Sequence, residues 1–414
     1  MRICLSRRLH VMMGRVVLTL FGAETVRAFI HQQLPELIDL RHELHQHPEI
    51  RFEEEWTSDR IARFLDGEGI SYTRGHARGT GIVASIQGAG GKTVALRTDM
   101  DALEIEEDTG LSYSSTISER MHACGHDGHM ACMCGTARLL NENRGSLNGT
   151  VKLIFQPAEE QAAGGRLIVE EGILDDVDAV FALHCWPSLP VGQVGVKSGA
   201  AMASADFFRI EICGEGCHGA DPASGVDPVL IAGHILTALQ SVVSRETNPW
   251  DPAVLTVAKI QAGQASNVIP ESAIMEGTFR ALSSKVRDHI FDAIPRIVEH
   301  TAQAHRAEAI VHFDGEPYPF LHNDPAMSEF AKDAVRDVFG EEQLYEPNFA
   351  SMASEDFAFY LQKVPGAFLF LGNNPDPATR YPGLHSPRFN FCDDALPYGI
   401  ELMSSVAMRY LSSE

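Results

Sequence analysis

Two patterns in this 414-residue chain predict an α/β fold: short apolar runs alternate with amphipathic helical stretches, and the chemically unusual residues gather where those runs end. A third pattern, a change of texture near residue 198, predicts an inserted α+β domain. The expectation is a catalytic domain with a mostly parallel mixed sheet flanked by helices, interrupted by that insertion.

Residues 24–45 and 53–66 space their apolar side chains three and four apart, as amphipathic helices do. Strand-like runs follow at 81–86 and 93–96, then a helix at about 127–142 and a strand at 151–155. A short helix near 166–171 and a strand at 179–184 continue the alternation. Strands separated by helices imply crossover connections and a parallel sheet, whose functional groups collect at the carboxyl edge. The segments at those ends are Arg97-Thr98-Asp99-Met100-Asp101, Gln156-Pro157-Ala158-Glu159-Glu160 and His184-Cys185-Trp186-Pro187.

From residue 198 the order is strand (206–213), helix (227–244), strands (253–261 and 272–281), helix (284–305) and strand (308–314). Helices at 324–339, 354–363 and 395–412 with a strand at 367–372 then return to the first domain. The expected division is 23–197 with 313–414, an insertion at 198–312, and an N-terminal extension at 1–22.

Composition narrows the class. There are 33 Lys and Arg against 56 Asp and Glu, a net charge of −23, which would repel phosphate backbones and disfavours nucleic acid as a partner. Eight cysteines are too few for a disulfide scaffold, and no run reaches the apolar length of a membrane span. Residues 1–22 carry Arg2, Arg7, Arg8 and Arg15 and no acid. Arg15 interrupts the apolar run that a secretory signal needs; a transit peptide, or an extension ahead of Met12 and Met13, fits better. A cytoplasmic location is expected.

The strongest chemical signal is Met121-His122-Ala123-Cys124-Gly125-His126-Asp127-Gly128-His129. Thiolate and imidazole are usual ligands of zinc and neighbouring transition metals. Glu159 and Glu160 follow an apolar strand, so one acid could bind metal while its neighbour activates water. His184 ends the next strand, and His385 stands in Gly383-Leu384-His385-Ser386-Pro387. Together Cys124, His126, Glu160, His184 and His385 could supply five ligands, more than one catalytic zinc takes, which points to two metals.

These segments, with Arg41-His42-Glu43-Leu44-His45, Pro48-Glu49, Asn267-Val268-Ile269-Pro270 and 352–357, resemble the M20 metallopeptidase family in its amidohydrolase branch, over about residues 34 to 411. The resemblance implies hydrolysis of the amide of N-acyl amino acids, hippurate-like or N-acetyl, by two divalent ions per chain (zinc, manganese, cobalt or nickel). It implies that Cys124, His126, Glu160, His184 and His385 bind the metals and that Glu159 is the general base. The inserted domain is implied to mediate a homodimer or higher oligomer and to send His218 to a neighbouring active site as a donor to the tetrahedral intermediate. Asn267 and Arg280 are implied to hold the substrate carboxylate. Asp99 and Asp101 are expected behind the ligands, orienting them.

Some positions depart from the branch. Glu104 stands where a proline is usual, and Cys217 where a small residue is. Cys132 and Cys134, on a helical pattern, are expected to pack in the core. The alternatives are a dipeptidase or carboxypeptidase, an N-acetyl-diaminopimelate deacetylase, or a silent binding protein on the same fold. The Cys-x-His pair favours the acylamino-acid branch. Residues 1–22 contribute +4 and 198–312 contribute −5, leaving −22 on the proposed catalytic domain. Such a field favours capture of divalent cations, and an anionic substrate would then need its own cation, the role given to Arg280.

Overall fold

The computed structural model describes residues 23–413; the expected extension at 1–22 lies outside them. Contacts divide the chain into two compact units. The first takes in the chain up to Gly199, His322–Asn348 and the chain from Phe359 onward. The second comprises Ala200–Leu321 and Phe349–Ala358.

The first unit is built on an eight-stranded sheet. Its order is Ser71–His76, Gly81–Gln87, Gly149–Gln156, Lys92–Asp99, Ala179–Pro190, Gly366–Asn374, Val194–Val196 and Leu344–Tyr345. The four central strands run parallel. Antiparallel neighbours flank them on both sides, so the sheet is mixed but parallel at its heart. Strands covered on both faces must be apolar throughout, and all nine residues of Gly366–Asn374 are buried. The helices Ala23–Gln46, His126–Glu142 and Leu396–Ser412 pack on one another, burying Leu37, Leu40, Leu44, Ala131, Leu139, Ile400 and Met403.

Register positions the site. Asp99 pairs with Gln156, and Arg97 with Ala182, which puts the ends of three parallel strands level near His184. The expected elements are present with small shifts of bounds; three differ in kind. The polar edge strand Ser71–His76 has no apolar alternation to announce it. The helix expected at 227–244 is α-helical over Pro228–Ser241 and continues as a π turn, Val242–Glu246. The helix expected at 354–363 is reduced to Ala358–Lys363.

The second unit is an antiparallel sheet in the order Ala253–Ala262, Ser272–Ala281, Asp206–Cys213, Glu308–His312. Helices Pro228–Ser241 and Ser284–Ala304 pack on it through Ile231, Ile235, Leu239, Ile290, Ile294 and Val298. Both helices are capped by side chains. Asp227 accepts from the Val229 and Leu230 N–H groups at 2.9 and 3.3 Å, and Ser283 from that of Val286 at 3.3 Å. Residues 349–358 join this unit through Ser351 and Ala353, whose carbonyls both accept from the Ala203 N–H. Among the described residues no helix is long and apolar enough to cross a membrane.

One glycine tests the packing around the metal-type motif. A Cβ on Gly128 would lie 2.3 Å from the Phe391 ring, whereas one on Gly145 meets nothing within 4 Å. Gly128→Ala is expected to cost about 1–3 kcal/mol in urea unfolding. Gly145→Ala should stay within about 0.5 kcal/mol of the parent.

Candidate functional site

The cysteine–histidine motif forms a tight turn into a helix. Gly125 adopts φ 84°, and a Cβ there would fall 2.6 Å from the Cys185 sulfur, so the position requires glycine on both counts. The turn leaves Cys124 just ahead of the helix His126–Glu142, with His126 in its first turn and His129 three residues on, along the same face. Cys124 Sγ lies 3.3 Å from His184 Nε2.

Backbone carbonyls set the tautomers of two histidines. His126 Nδ1 lies 2.8 Å from the Asp101 carbonyl oxygen and His184 Nδ1 lies 2.8 Å from that of Cys185. A carbonyl can only accept, so each Nδ1 carries a proton, and each Nε2, once free of any second proton, directs its lone pair into the cluster. His126 Nε2 is buried without a hydrogen bond, 3.9 Å from Glu160 Oε1. His385 reaches Glu160 Oε1 at 3.2 Å through its Nε2. Its backbone N–H, donated to the Ala123 carbonyl at 2.8 Å, ties it to the cysteine turn at a left-handed φ of 62°. Cys124, His126 and Glu160 bring ligand atoms within 4.8 Å of one another. Nitrogen, oxygen and sulfur donors gathered around the unpartnered His126 Nε2 fit a borderline-soft divalent ion.

Asp99, His126, His129 and His184 form a second close group. His129, however, has no lone pair to spare. Its Nδ1 donates to Asp99 Oδ1 at 2.7 Å and its Nε2 accepts the Cys185 N–H at 2.9 Å. It acts as a brace between helix and strand, and Asp99, which also accepts from Arg97 Nη1 at 2.8 Å, is held from behind. Asp101 serves two neighbours: its carbonyl orients His126, and its Oδ2 accepts the Glu160 N–H at 3.0 Å.

The electrostatics follow from burial and packing. Burial opposes the charge on His126, but Asp99, Asp101 and Glu160 outweigh it and push the imidazole up to about 10. Burial likewise opposes the Asp99 carboxylate, yet His126, His129 and Arg97 hold it well below its usual range. Burial, then Glu160 and Cys185, drives the Cys124 thiol well above its ordinary value. Burial and the adjacent His129 push His184 well below. With only protons to balance them, the carboxylates hold one on His126, at the place where a cation would neutralise them all.

Glu159 and Glu160 sit on a one-turn helix, Glu159–Ala162, bracketed by Ala158 at φ 56° and Ala163 at φ 49°, both left-handed. Glu159 is buried, and Glu160 points toward His126 and His385.

Three predicted residues belong to the second unit. The two-stranded ribbon of Cys217–His218 and Val268–Ile269 pairs His218 with Val268, next to Asn267. The Gly219 N–H donates to the Asn267 carbonyl at 2.8 Å. His218 Nδ1 accepts the Ala220 N–H at 3.0 Å, so its exposed Nε2 carries the proton and is a donor. Arg280 donates to Ser354 Oγ at 3.2 Å and makes no salt bridge among the described residues; burial lowers its pKa. Of the departures noted above, Cys132 and Cys134 are core residues and Glu104 is an exposed partner of Arg51 at 3.7 Å. Cys217 is partly exposed.

Beyond Asp99 and Asp101, the layer behind the ligands has members given no role in the sequence. Asp127, next to His126, is buried against His45 Nδ1 at 2.8 Å and Arg41 Nε at 3.5 Å. A charged residue inside an otherwise apolar run, as Arg97 is, was the available signal; for His45 and Asp127, 82 residues apart, none was.

Comparison with known proteins gives the following. The sequence model of peptidase family M20/M25/M40 matches residues 95–409. "IAA-amino acid hydrolase ILR1-like 4" of Arabidopsis thaliana is 40% identical over 378 residues, covering 91% of this chain and 86% of the relative. "N-acetyl-L-cysteine deacetylase" of Bacillus subtilis is 42% identical over 379 residues, covering 91% and 89%. The crystal structure of the Bacillus subtilis YXEP protein, described as a dinuclear metal binding peptidase from M20 family, superimposes with a TM-score of 0.79 at 37% identity, covering 94% of this chain and 99% of that one. A "Thermostable carboxypeptidase 1" of Saccharolobus solfataricus is 35% identical, covering 90% and 95%.

The pair behind the ligands has a pH signature. Burial opposes the charge on His45, but Asp127 overrides it and raises the imidazole from 6.5 to about 9. Its stabilisation is therefore complete below pH 6.5 and is lost as pH rises through about 9, a change on the order of 3 kcal/mol. In urea unfolding, the deficit of His45→Gln relative to the parent should be largest below pH 6.5 and shrink by pH 9.5. A deficit independent of pH would contradict the assignment.

Proposed function

Because the chain belongs to peptidase family M20/M25/M40, a family of metal-dependent hydrolases, we propose that it cleaves the amide bond of N-acyl amino acids, releasing a carboxylic acid and a free amino acid. The observation that carries this reading is the convergence of lone pairs from His126, His184, Cys124 and Glu160 beside a second buried acid, Glu159.

In this reading Cys124, His126, Glu160, His184 and His385 hold two divalent ions, from among zinc, manganese, cobalt and nickel. Bound there, such ions would polarise the amide carbonyl and make water acidic enough to lose a proton near neutral pH. Glu159 takes that proton on its carboxylate and passes it to the leaving amine, so one residue serves as base and then as acid. Asp99 and Asp101 keep the ligands in place, Asp99 through Arg97 and His129, Asp101 through His126 and the Glu160 N–H.

The second unit supplies recognition. Its exposed His218 Nε2–H is the donor assigned to the carbonyl oxygen as negative charge develops, in the active site of a neighbouring subunit. Arg280, half-buried and without a carboxylate partner among the described residues, is assigned with Asn267 to the substrate's own carboxylate. The division into a catalytic domain (23–197 and 313–414) and a dimerisation domain (198–312) belongs to the same reading. So do a homodimer, a cytoplasmic location and a small-molecule partner in place of nucleic acid or membrane. The carboxypeptidase relative supports a second reading, hydrolysis of peptides at their carboxyl end.

A panel of N-acetyl, N-benzoyl and N-indoleacetyl amino acids set against unblocked dipeptides decides between the two. Free amino acid should appear from the N-acyl substrates, and turnover confined to dipeptides would overturn the first reading. Glu159→Gln should keep its metal and lose about 10²-fold or more in kcat. Near-parental turnover in that variant would remove Glu159 from the role of base.

A further inference from the structure

A second buried acid holds the turn that carries Glu159, and neither metal binding nor proton transfer accounts for it. Glu54 is fully buried. It stands at the N-terminal boundary of the helix Glu55–Gly67 yet makes no side-chain bond to it. The Trp56 and Thr57 N–H groups of that helix donate instead to Glu49, at 3.1 and 2.8 Å. The Glu54 carboxylate turns the other way. Its Oε1 accepts the Ala158 N–H at 2.9 Å, 104 residues along the chain, and its Oε2 accepts the Thr80 hydroxyl at 3.0 Å.

Ala158 is the left-handed residue immediately before Glu159, with φ 56° and ψ 45°. That conformation costs a residue bearing a Cβ roughly 1–2 kcal/mol, so something must hold it. Within the turn the Gly164 N–H donates to the Ala158 carbonyl at 3.0 Å. Glu160 has a separate holder, since its N–H goes to Asp101. The two neighbouring glutamates are thus fixed by two different carboxyl groups. Burial, with Asp101 nearby, pushes the Glu54 carboxyl up to about 8, so the group is kept there at a cost.

We propose that Glu54 is a positioning residue: by pinning the Ala158 N–H to a carboxyl oxygen, with Thr80 orienting the group, it sets the direction from which Glu159 reaches its proton. The inference rests on the reading of Glu159 as the base. Removing Glu54 frees the peptide between Pro157 and Ala158 to rotate and moves Glu159, while Asp101 still holds Glu160. Rate and metal content therefore separate. A displacement of about 1 Å at a reacting group can cost about 10²-fold.

The test uses the full chain, metal-loaded, with the N-acyl amino acid it turns over fastest. Glu54→Ala should lower kcat about 10- to 100-fold with KM within about 3-fold and metal per chain unchanged. Glu54→Gln, which keeps an acceptor for Ala158, should recover kcat to within about 5-fold of the parent. Thr80→Val, which releases only the second oxygen, should lower kcat about 3- to 10-fold at unchanged KM, and it decides the matter if Glu54→Ala does not fold. Parental kcat in Glu54→Ala, an equal fall in Glu54→Gln, or loss of metal alongside loss of rate would each overturn the proposal. If Glu54→Ala does not fold, parental kcat in Thr80→Val overturns it. Glu159→Gln run in parallel separates the two claims. If it is inactive while Glu54→Ala is fully active, only the positioning role fails; if it is active, the base assignment fails.

Discussion

The interaction on which the site depends is the satisfaction of Asp99, a carboxylate with no exposure to solvent at the end of a central parallel strand. A buried carboxylate is tolerated only with charge-assisted partners. Arg97 supplies one from two residues back on the same strand, and His129 supplies the other from the helix after the cysteine turn. His129 then accepts the Cys185 N–H, which joins that helix to the next parallel strand. One bond network therefore fixes the spacing between the helix bearing His126 and the strand bearing His184. Backbone carbonyls take the Nδ1 of both residues, which leaves each Nε2 directed at Cys124 and Glu160.

The same economy shapes the acid pair. Glu159 and Glu160 occupy a single helical turn that is too short to hold itself, with a strained alanine at each end. Carboxylates from distant parts of the chain hold its N–H groups. Without a cation the carboxylates stabilise protons on histidines; with one they become its ligands or the supports of its ligands.

Much of this was legible in the sequence, for identifiable reasons. Strands 206–213 and 272–281 were predicted with the bounds observed, because alternating burial leaves a period of two. The metal-type motif was legible because its chemistry is packed into nine consecutive residues. The edge strand Ser71–His76 was not, since it is mostly exposed and carries no period. Val194–Val196 and Leu344–Tyr345 are too short to carry one. Asp99 and Asp101 were expected as supports, whereas the roles of Glu54 and His45 were missed because their partners are remote: Glu54 serves Ala158, and His45 serves Asp127. His129 stands in the metal-type motif but outside the five expected ligands, and its two hydrogen bonds show why: it has no lone pair to give.

The central claim is that the donors gathered around His126 Nε2 form one dinuclear centre. Anomalous diffraction from crystals of the chain grown with manganese or zinc, recorded at the metal's absorption edge, tests it most directly. Two peaks per chain are expected within bonding distance of Cys124 Sγ, His126 Nε2, Glu160, His184 Nε2 and His385. A single peak, or peaks bound by His129 in place of His126 and His184, would contradict it.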